Sequence, residues 1–377
     1  MTVTTKDRAV KTSAWFLYTL IVLEILFMVS PFAAYYYSIY ATPLNLLQAS
    51  PYTAWLTMYV LPHFTYTASW LANGLVLIAW PLMLLGIVVF VVGFCQIYWA
   101  KFTGKGAVAV GLYKHIRHPQ YIALAVIGLG ACLYWSRLIV IVAFVSMLCL
   151  YYFLARVEER ICLEKFGDSY RSYLERTGMF LPRRLEARWE VLDWRLPESR
   201  WRRTATFLGL YLVAVSMSIG LAFLLRQHVV DSLQTDVGDE RVVVYLAPLS
   251  DEALKSVSTL LDETDFGDGL FYVGPSSWSV PELGLRRTTA LPEGVTTSEL
   301  RYPTTHGNPL DFDPHHVNVV KVAATYARDE PSGLRRFTHA LDLRPTEFAA
   351  LDLSNEAIVS TEYTIDSQWD RIPTPTF

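Results

Sequence analysis

The chain has 377 residues, 53% of them hydrophobic, a mean hydropathy of +0.29 and a net charge of −3. That balance argues against a wholly soluble globular protein and points to membrane spans joined to a soluble portion. The four cysteines, Cys95, Cys132, Cys149 and Cys162, have no zinc-type spacing, and none lies in the C-terminal part, which excludes a disulfide-stapled tail.

In chain order, apolar runs predict spans over residues 14–37, 75–99, 121–134, 138–153 and 206–225. The first, second and fifth have the ~20 residues that cross ~30 Å of hydrocarbon. The third and fourth are shorter, and only Tyr134, Trp135, Ser136 and Arg137 come between them. Those two must form a tight helical hairpin whose flanking residues reach the membrane surface. The first run is long and lacks a small-residue cleavage site, so it reads as an anchor rather than a removable signal peptide. Glu24 lies within it. A carboxylate there is costly, and a functional role or a partnership with a neighbouring helix explains it equally well. Residues 41–70 carry no charge and are placed at the outer interface or as a re-entrant piece.

Basic residues set the orientation. Lys6, Arg8 and Lys11 precede the first span; Lys101, Lys105, Lys114 and Arg117 follow the second; Arg156, Arg160 and Lys165 follow the fourth. Five crossings put all of them in the cytoplasm with the N-terminus, in a multi-pass plasma or inner membrane protein. Charge then divides the chain, with residues 1–225 at net +9 and residues 226–377 at net −12. An acidic tail beyond an odd number of spans belongs outside. The expected fold class is an α-helical integral membrane protein of about five transmembrane helices plus a C-terminal soluble α+β domain, divided at residue 225.

Beyond the hairpin, Val157, Ile161, Phe166, Tyr170, Tyr173 and Leu174 recur at near-helical spacing and predict an amphipathic surface helix. Residues 183–203 interleave Arg183, Arg184, Arg188, Arg202 and Arg203 with Trp189, Trp194 and Trp201, a pattern suited to anionic lipid headgroups. Glu186, Glu190, Asp193 and Glu198 among them weigh against nucleic acid. In the tail, strands are expected over 241–247, 269–273, 317–327, 335–343 and 357–365, with a helix over 250–261. The stretch from His306 to His316 collects three histidines and two aspartates; it reads as a polar loop, because no helical spacing fixes it as a metal site.

Two polar clusters flank the hairpin. The first runs through Gly111, Tyr113, His115, Arg117, His118, Pro119 and Tyr121; the second through Arg156, Glu158, Glu159, Phe166, Gly167, Tyr170, Tyr173 and Pro182. One hairpin brings both to the same membrane face, where they can build a small-molecule site over residues 111–182. Pro119 can start the third span at no cost, since its missing N–H would lack a helical partner anyway. Each cluster alone has a bland reading. The histidines and arginine could be a topology signal, and Glu158 and Glu159 a solvated helix face beside the i,i+4 pair Arg160 and Glu164.

The ordered pair of Arg-His-Pro-x-Tyr and Glu-Glu, with the downstream tyrosines, resembles the isoprenylcysteine carboxyl methyltransferase and phospholipid methyltransferase families over roughly residues 87–184. Ala123 stands where those families often have glycine. The resemblance implies an integral-membrane enzyme that uses S-adenosylmethionine without a Rossmann fold. It implies cofactor contacts from His118, Tyr121, Glu158 and Glu159, with His115, Arg117 and Pro119 alongside, and Arg156 and Glu159 as the catalytic residues. Arg117 or His118 would pair with the methionyl carboxylate, and Glu158 or Glu159 with ribose hydroxyls or the ammonium. The expected acceptor is a lipid or lipidated molecule: a prenylcysteine-type carboxylate, a phospholipid amine or a thiol. No metal is expected. Residues 226–377 are left to meet an extracytoplasmic protein partner. Two other classes remain open: a membrane sterol-type reductase using NADPH, which shares Arg-His-Pro-x-Tyr but usually continues Gly-Glu where this chain has Ile122 and Ala123, and a non-catalytic membrane-anchored binding protein.

Overall fold

The structure is a computed structural model describing residues 49–61, 67–103, 110–190, 199–245, 248–275, 285–287, 315–326, 330–340 and 342–367, with Leu26, Phe32, Ala33, Tyr35, Leu44, Leu46 and Leu47. Its helices are α1 (Trp70–Leu77), α2 (Ala79–Phe102), α3 (Pro119–Tyr134), α4 (Leu138–Arg176), α5 (Arg183–Glu190), α6 (Arg200–Asp231), α7 (Asp251–Asp262) and α8 (Arg335–Thr338). Its strands are β1 (Gln234–Val237), β2 (Arg241–Tyr245), β3 (Gly269–Pro275), β4 (Leu285–Arg287), β5 (His316–Thr325), β6 (Asp342–Asp352) and β7 (Ala357–Ser367). The chain divides into two compact units, one of Met1–Ser38, Trp80–Ala131 and Val142–Ser216, the other of Ile39–Ala79, Cys132–Ile141 and Met217–Phe377.

Among the described residues three helices are long and apolar enough to cross a membrane: Trp70–Ala100, Leu138–Arg176 and Thr204–Asp231. They contain the expected spans at 75–99, 138–153 and 206–225. The 16-residue α3 carries the expected 121–134 run and is shorter. The 14–37 run lies outside the described residues except for Leu26, Phe32, Ala33 and Tyr35, all helical; Glu24 is outside them.

In the first unit, close packing explains how two short-looking segments hold together. A Cβ on Gly86 of α2 would come within 2.8 Å of the Ala123 carbonyl on α3, so the two backbones touch there. Ala123 is 1% exposed, and this close approach accounts for a small residue there. Tyr35 donates from its hydroxyl to the Gly128 carbonyl at 2.7 Å, and its ring lies 5.9 Å from that of Phe144. α4 departs from expectation. No glycine or proline occurs between Leu138 and Phe166, so the helix continues unbroken past Phe153 and carries Arg156, Glu158 and Glu159 on its own body. It changes direction only at Gly167, whose φ of 55° an L side chain would resist.

In the second unit, seven strands pair in the order β1-β2-β3-β5-β6-β7-β4. β2 and β3 are parallel, joined by the α7 crossover; the other pairs are antiparallel. Ser250 caps α7 by accepting from the Ala253 amide at 3.2 Å, and Asp251 and Glu252 in the first turn suit the helix dipole. β2 alternates between two cores. Val243 and Tyr245 pack with Val257, Leu260 and Leu261 of α7. Val242 and Val244 face Leu61, Ala72, Val229 and Phe337 instead. Both faces are covered, which is why the strand reads as a continuous apolar run.

The turn between α3 and α4 belongs to this unit and is held tightly. Ser136 Oγ accepts from the Leu61 amide at 2.8 Å. Arg137, 5% exposed, donates to the Thr57 carbonyl at 2.8 Å and lies over the Tyr59 ring at 4.3 Å. Arg226 near the end of α6, also buried, donates to the Tyr59 carbonyl at 3.0 Å and to that of Thr338.

The expected strand at 335–343 is a correction. Residues 335–338 form the helical turn α8, introduced by Gly333 at φ 57°, and the strand begins only at Asp342. Most of the His306–His316 stretch lies outside the described residues; His316 Nε2 sits 3.5 Å from Asp352 Oδ2.

Candidate functional site

The site is assembled in the first unit from the start of α3, the middle of α4 and the chain after α4. Pro119 is buried at the first position of α3. Just before it, the extended backbone of residues 116–118 pairs with residues 178–179: Ile116 bridges Gly178 in parallel, the Arg117 amide donates to the Gly178 carbonyl at 2.9 Å, and the His118 amide to that of Met179 at 3.1 Å. This short ladder aims the Arg117 and His118 side chains at the carboxylates of α4.

Arg117 Nε donates to Glu159 Oε1 at 2.5 Å, with both side chains about nine-tenths buried. Its Nη1 donates to the Leu174 carbonyl at 3.2 Å and to the Thr177 carbonyl. The His118 ring lies between the two carboxylates, Nδ1 3.4 Å from Glu158 Oε2 and Nε2 3.5 Å from Glu159 Oε1. The Tyr121 hydroxyl donates to Glu158 Oε1. Burial alone would lower the His118 pKa, but hydrogen bonds and charge from Glu158 and Glu159 outweigh it, and the net shift is upward. With His118 protonated, two cations and two anions balance.

Aromatic rings line the cluster. His118 stacks on Tyr121 at 5.5 Å with the planes 3° apart, and Tyr121 stacks on Tyr151 at 4.7 Å. Phe180 tilts against His118 at 6.0 Å. The Tyr173 hydroxyl donates to the Tyr113 carbonyl at 2.6 Å.

The structure thus brings Arg117, His118, Pro119, Tyr121, Glu158 and Glu159 together. His115 and Arg156 are exposed, and no hydrogen bond or ion pair ties them to the cluster among the described residues. The sequence reading missed Tyr151 and, though Gln120 and Phe180 lie in the two clusters, gave them no role. Tyr151 had a signal: it lies two helical turns before Glu158, on a stripe with the buried Met147 and Ala155.

Two buried polar atoms suit a ligand: the Tyr113 hydroxyl and Gln120 Nε2 have no hydrogen-bond partner among the described residues. Gln120 and the Tyr113 hydroxyl both pack over Gly93 of α2. Burial, with Tyr173 and Glu158 nearby, holds the Tyr113 phenol protonated by pushing its pKa up. Unpartnered buried donors are costly, and a ligand with hydrogen-bonding edges would satisfy them.

Comparison with known families agrees with this geometry. Residues 68–169 match the model of the phospholipid methyltransferase family. The matched segment holds both halves of the charged cluster and points to a membrane methyltransferase. It ends before Tyr170, Tyr173 and the Gly178–Phe180 ladder. No curated protein and no solved structure matches the chain.

Proposed function

We propose that this chain transfers a methyl group from S-adenosylmethionine to a lipid-embedded acceptor, with a phospholipid amine as the first candidate. The observation that carries the reading is the buried cluster of Arg117, His118, Glu158 and Glu159 inside the family-matched segment. The residues present fit the donor molecule. Carboxylates suit its ammonium and ribose hydroxyls, the His118, Tyr121 and Tyr151 rings suit a flat base or a sulfonium, and the Tyr113 and Gln120 donors suit the edge of a heterocycle. Bound there, the donor supplies an electrophilic methyl on a positively charged sulfur, which leaves as a neutral thioether.

The residues do the rest. Arg117 is engaged with Glu159 and two carbonyls, so its role is to hold Glu159 in place rather than to meet a carboxylate itself. His118, set between Glu158 and Glu159, orients both carboxylates for the donor's ammonium and ribose hydroxyls. Rigid placement of this kind aligns the reacting atoms and excludes water, a large share of what methyl transfer needs. An amine acceptor, an ammonium in water, must first lose a proton to expose the nitrogen lone pair that attacks the methyl carbon. Glu158, the more open of the two carboxylates, is the group placed to receive it. Arg156, exposed on the same helix, is free to meet the headgroup phosphate.

The charge pattern supports a cytoplasmic site, with the N-terminus inside and the acidic tail outside a plasma or inner membrane. Arg184 and Leu185 of α5 are exposed, as an interfacial segment on anionic lipid requires. The tail would then gather substrate or bind an extracytoplasmic partner. The test is mass spectrometry of lipids and lipidated proteins after feeding methyl-labelled methionine to cells with and without the protein. A labelled lipid species that depends on the protein and is lost in Glu159→Ala supports the reading. Identical labelling in both cells overturns it.

A further inference from the structure

We propose that Glu186 of α5 is a positioning residue that holds His118 in register through the Gly178–Phe180 segment. Its carboxylate accepts from the Met179 amide at 3.0 and 2.9 Å through its two oxygens, and from the Phe180 amide at 3.4 Å. Those amides belong to the residues that fix the site from below. The Met179 carbonyl accepts from the His118 amide, and the Phe180 ring lies against the His118 ring. The same strand supplies the Gly178 carbonyl to the Arg117 amide, and Thr177 beside it accepts from the Arg117 guanidinium.

The arrangement leaves little slack. Met179 and Thr177 are buried. A Cβ on Gly178 would fall 1.8 Å from the Leu181 carbonyl and 2.7 Å from Glu186 Oε2, so the segment curls tightly around the carboxylate. Without Glu186, two amides at this bend lose a charged acceptor, and a charge-assisted bond is about twice as strong as a neutral one. The ladder that sets His118 between Glu158 and Glu159 would loosen. Glu186 turns inward to these amides. The proposed reading of the site explains what His118 is held for, but the holding itself stands on geometry alone.

The test is an NMR titration of histidine-labelled full-length protein in nanodiscs, with the His118 resonance identified by its loss in His118→Gln. The groups facing His118 are Glu158 and Glu159 of α4, Arg117, Tyr121 of α3 and Phe180. In Glu186→Ala the His118 midpoint should fall by about one pH unit as the carboxylates lose their alignment. His228, which bonds Ser69 Oγ at 2.8 Å in the second unit, should not move. Glu186→Gln should restore most of the shift, because an amide oxygen still accepts from Met179. Should Glu186→Ala fail to fold, Glu186→Asp should move the midpoint partway in the same direction. An unchanged His118 titration in Glu186→Ala, or in Glu186→Asp where that variant stands in, overturns the proposal. So does a shift in which His228 takes part equally, since that is general loosening. These shifts in the Glu186 variants, with wild-type protein that binds no S-adenosylmethionine, would refute the methyl-transfer reading and leave the role of Glu186 standing.

Discussion

Arg117 and Glu159 lie 42 residues apart and meet at 2.5 Å across the hairpin, each nearly buried. Removing one member of a buried pair strands the other charge, which costs about 3–5 kcal/mol. Arg117→Ala and Glu159→Ala should each lower the thermal midpoint in detergent markedly. The double variant should lose less than the sum of the singles. Additive losses would mean the pair is not coupled.

His118 gives stability a pH dependence of known sign. Its folded-state pKa lies above the ordinary 6.5. The stabilisation from its charged form is therefore complete below about pH 6.5 and fades as pH rises through the higher folded value. Thermal melts of wild type and His118→Gln should differ most in mildly acidic buffer and converge toward alkaline pH. A gap that widens with rising pH would reverse the assignment.

Tyr121 has two separable roles. Tyr121→Phe keeps the ring and removes the hydroxyl that bonds Glu158, and should cost about 1 kcal/mol. Tyr121→Ala also removes the stack with His118 and Tyr151, and losses of about 3–5 kcal/mol are usual for a buried aromatic. Chemical denaturation of the two variants checks the order. Equal losses would show that the ring contributes nothing.

In the second unit, Arg226 satisfies the carbonyls of Tyr59 and Thr338. Arg226→Met leaves both without that donor, at about 1–3 kcal/mol each. Limited proteolysis should then cut the tail faster than in wild type. An unchanged cutting rate would place the strength of this unit in its apolar core.

The site was legible where chemistry repeats locally. Arg117, His118 and Tyr121 stand close together in the sequence, as do Glu158 and Glu159, and hairpin spacing predicts that they meet. What Arg117 does there was not legible, because its partners at 174 and 177 are backbone carbonyls, which any residue supplies. Glu186 looked like one acid among arginines; only the curl at Gly178 turns it inward. In the tail, β2, β3, β5, β7 and α7 followed from β-branched runs and a capped amphipathic helix. β6 did not, because Pro345 reads as a breaker; it is tolerated opposite Val322, where the register shifts. Phe337 fell within the strand expected over 335–343, yet it is buried from a helical turn, its ring against that of Tyr272.

The most direct measurement is calorimetric titration of the detergent-solubilised full chain with S-adenosylmethionine and, separately, with NADPH. The account expects the sulfonium donor to bind more tightly, with His118→Ala and Glu159→Ala each weakening it by ten- to a hundred-fold, or about 1.5–3 kcal/mol. Tighter binding of NADPH, or wild-type affinity for S-adenosylmethionine in both variants, would contradict it.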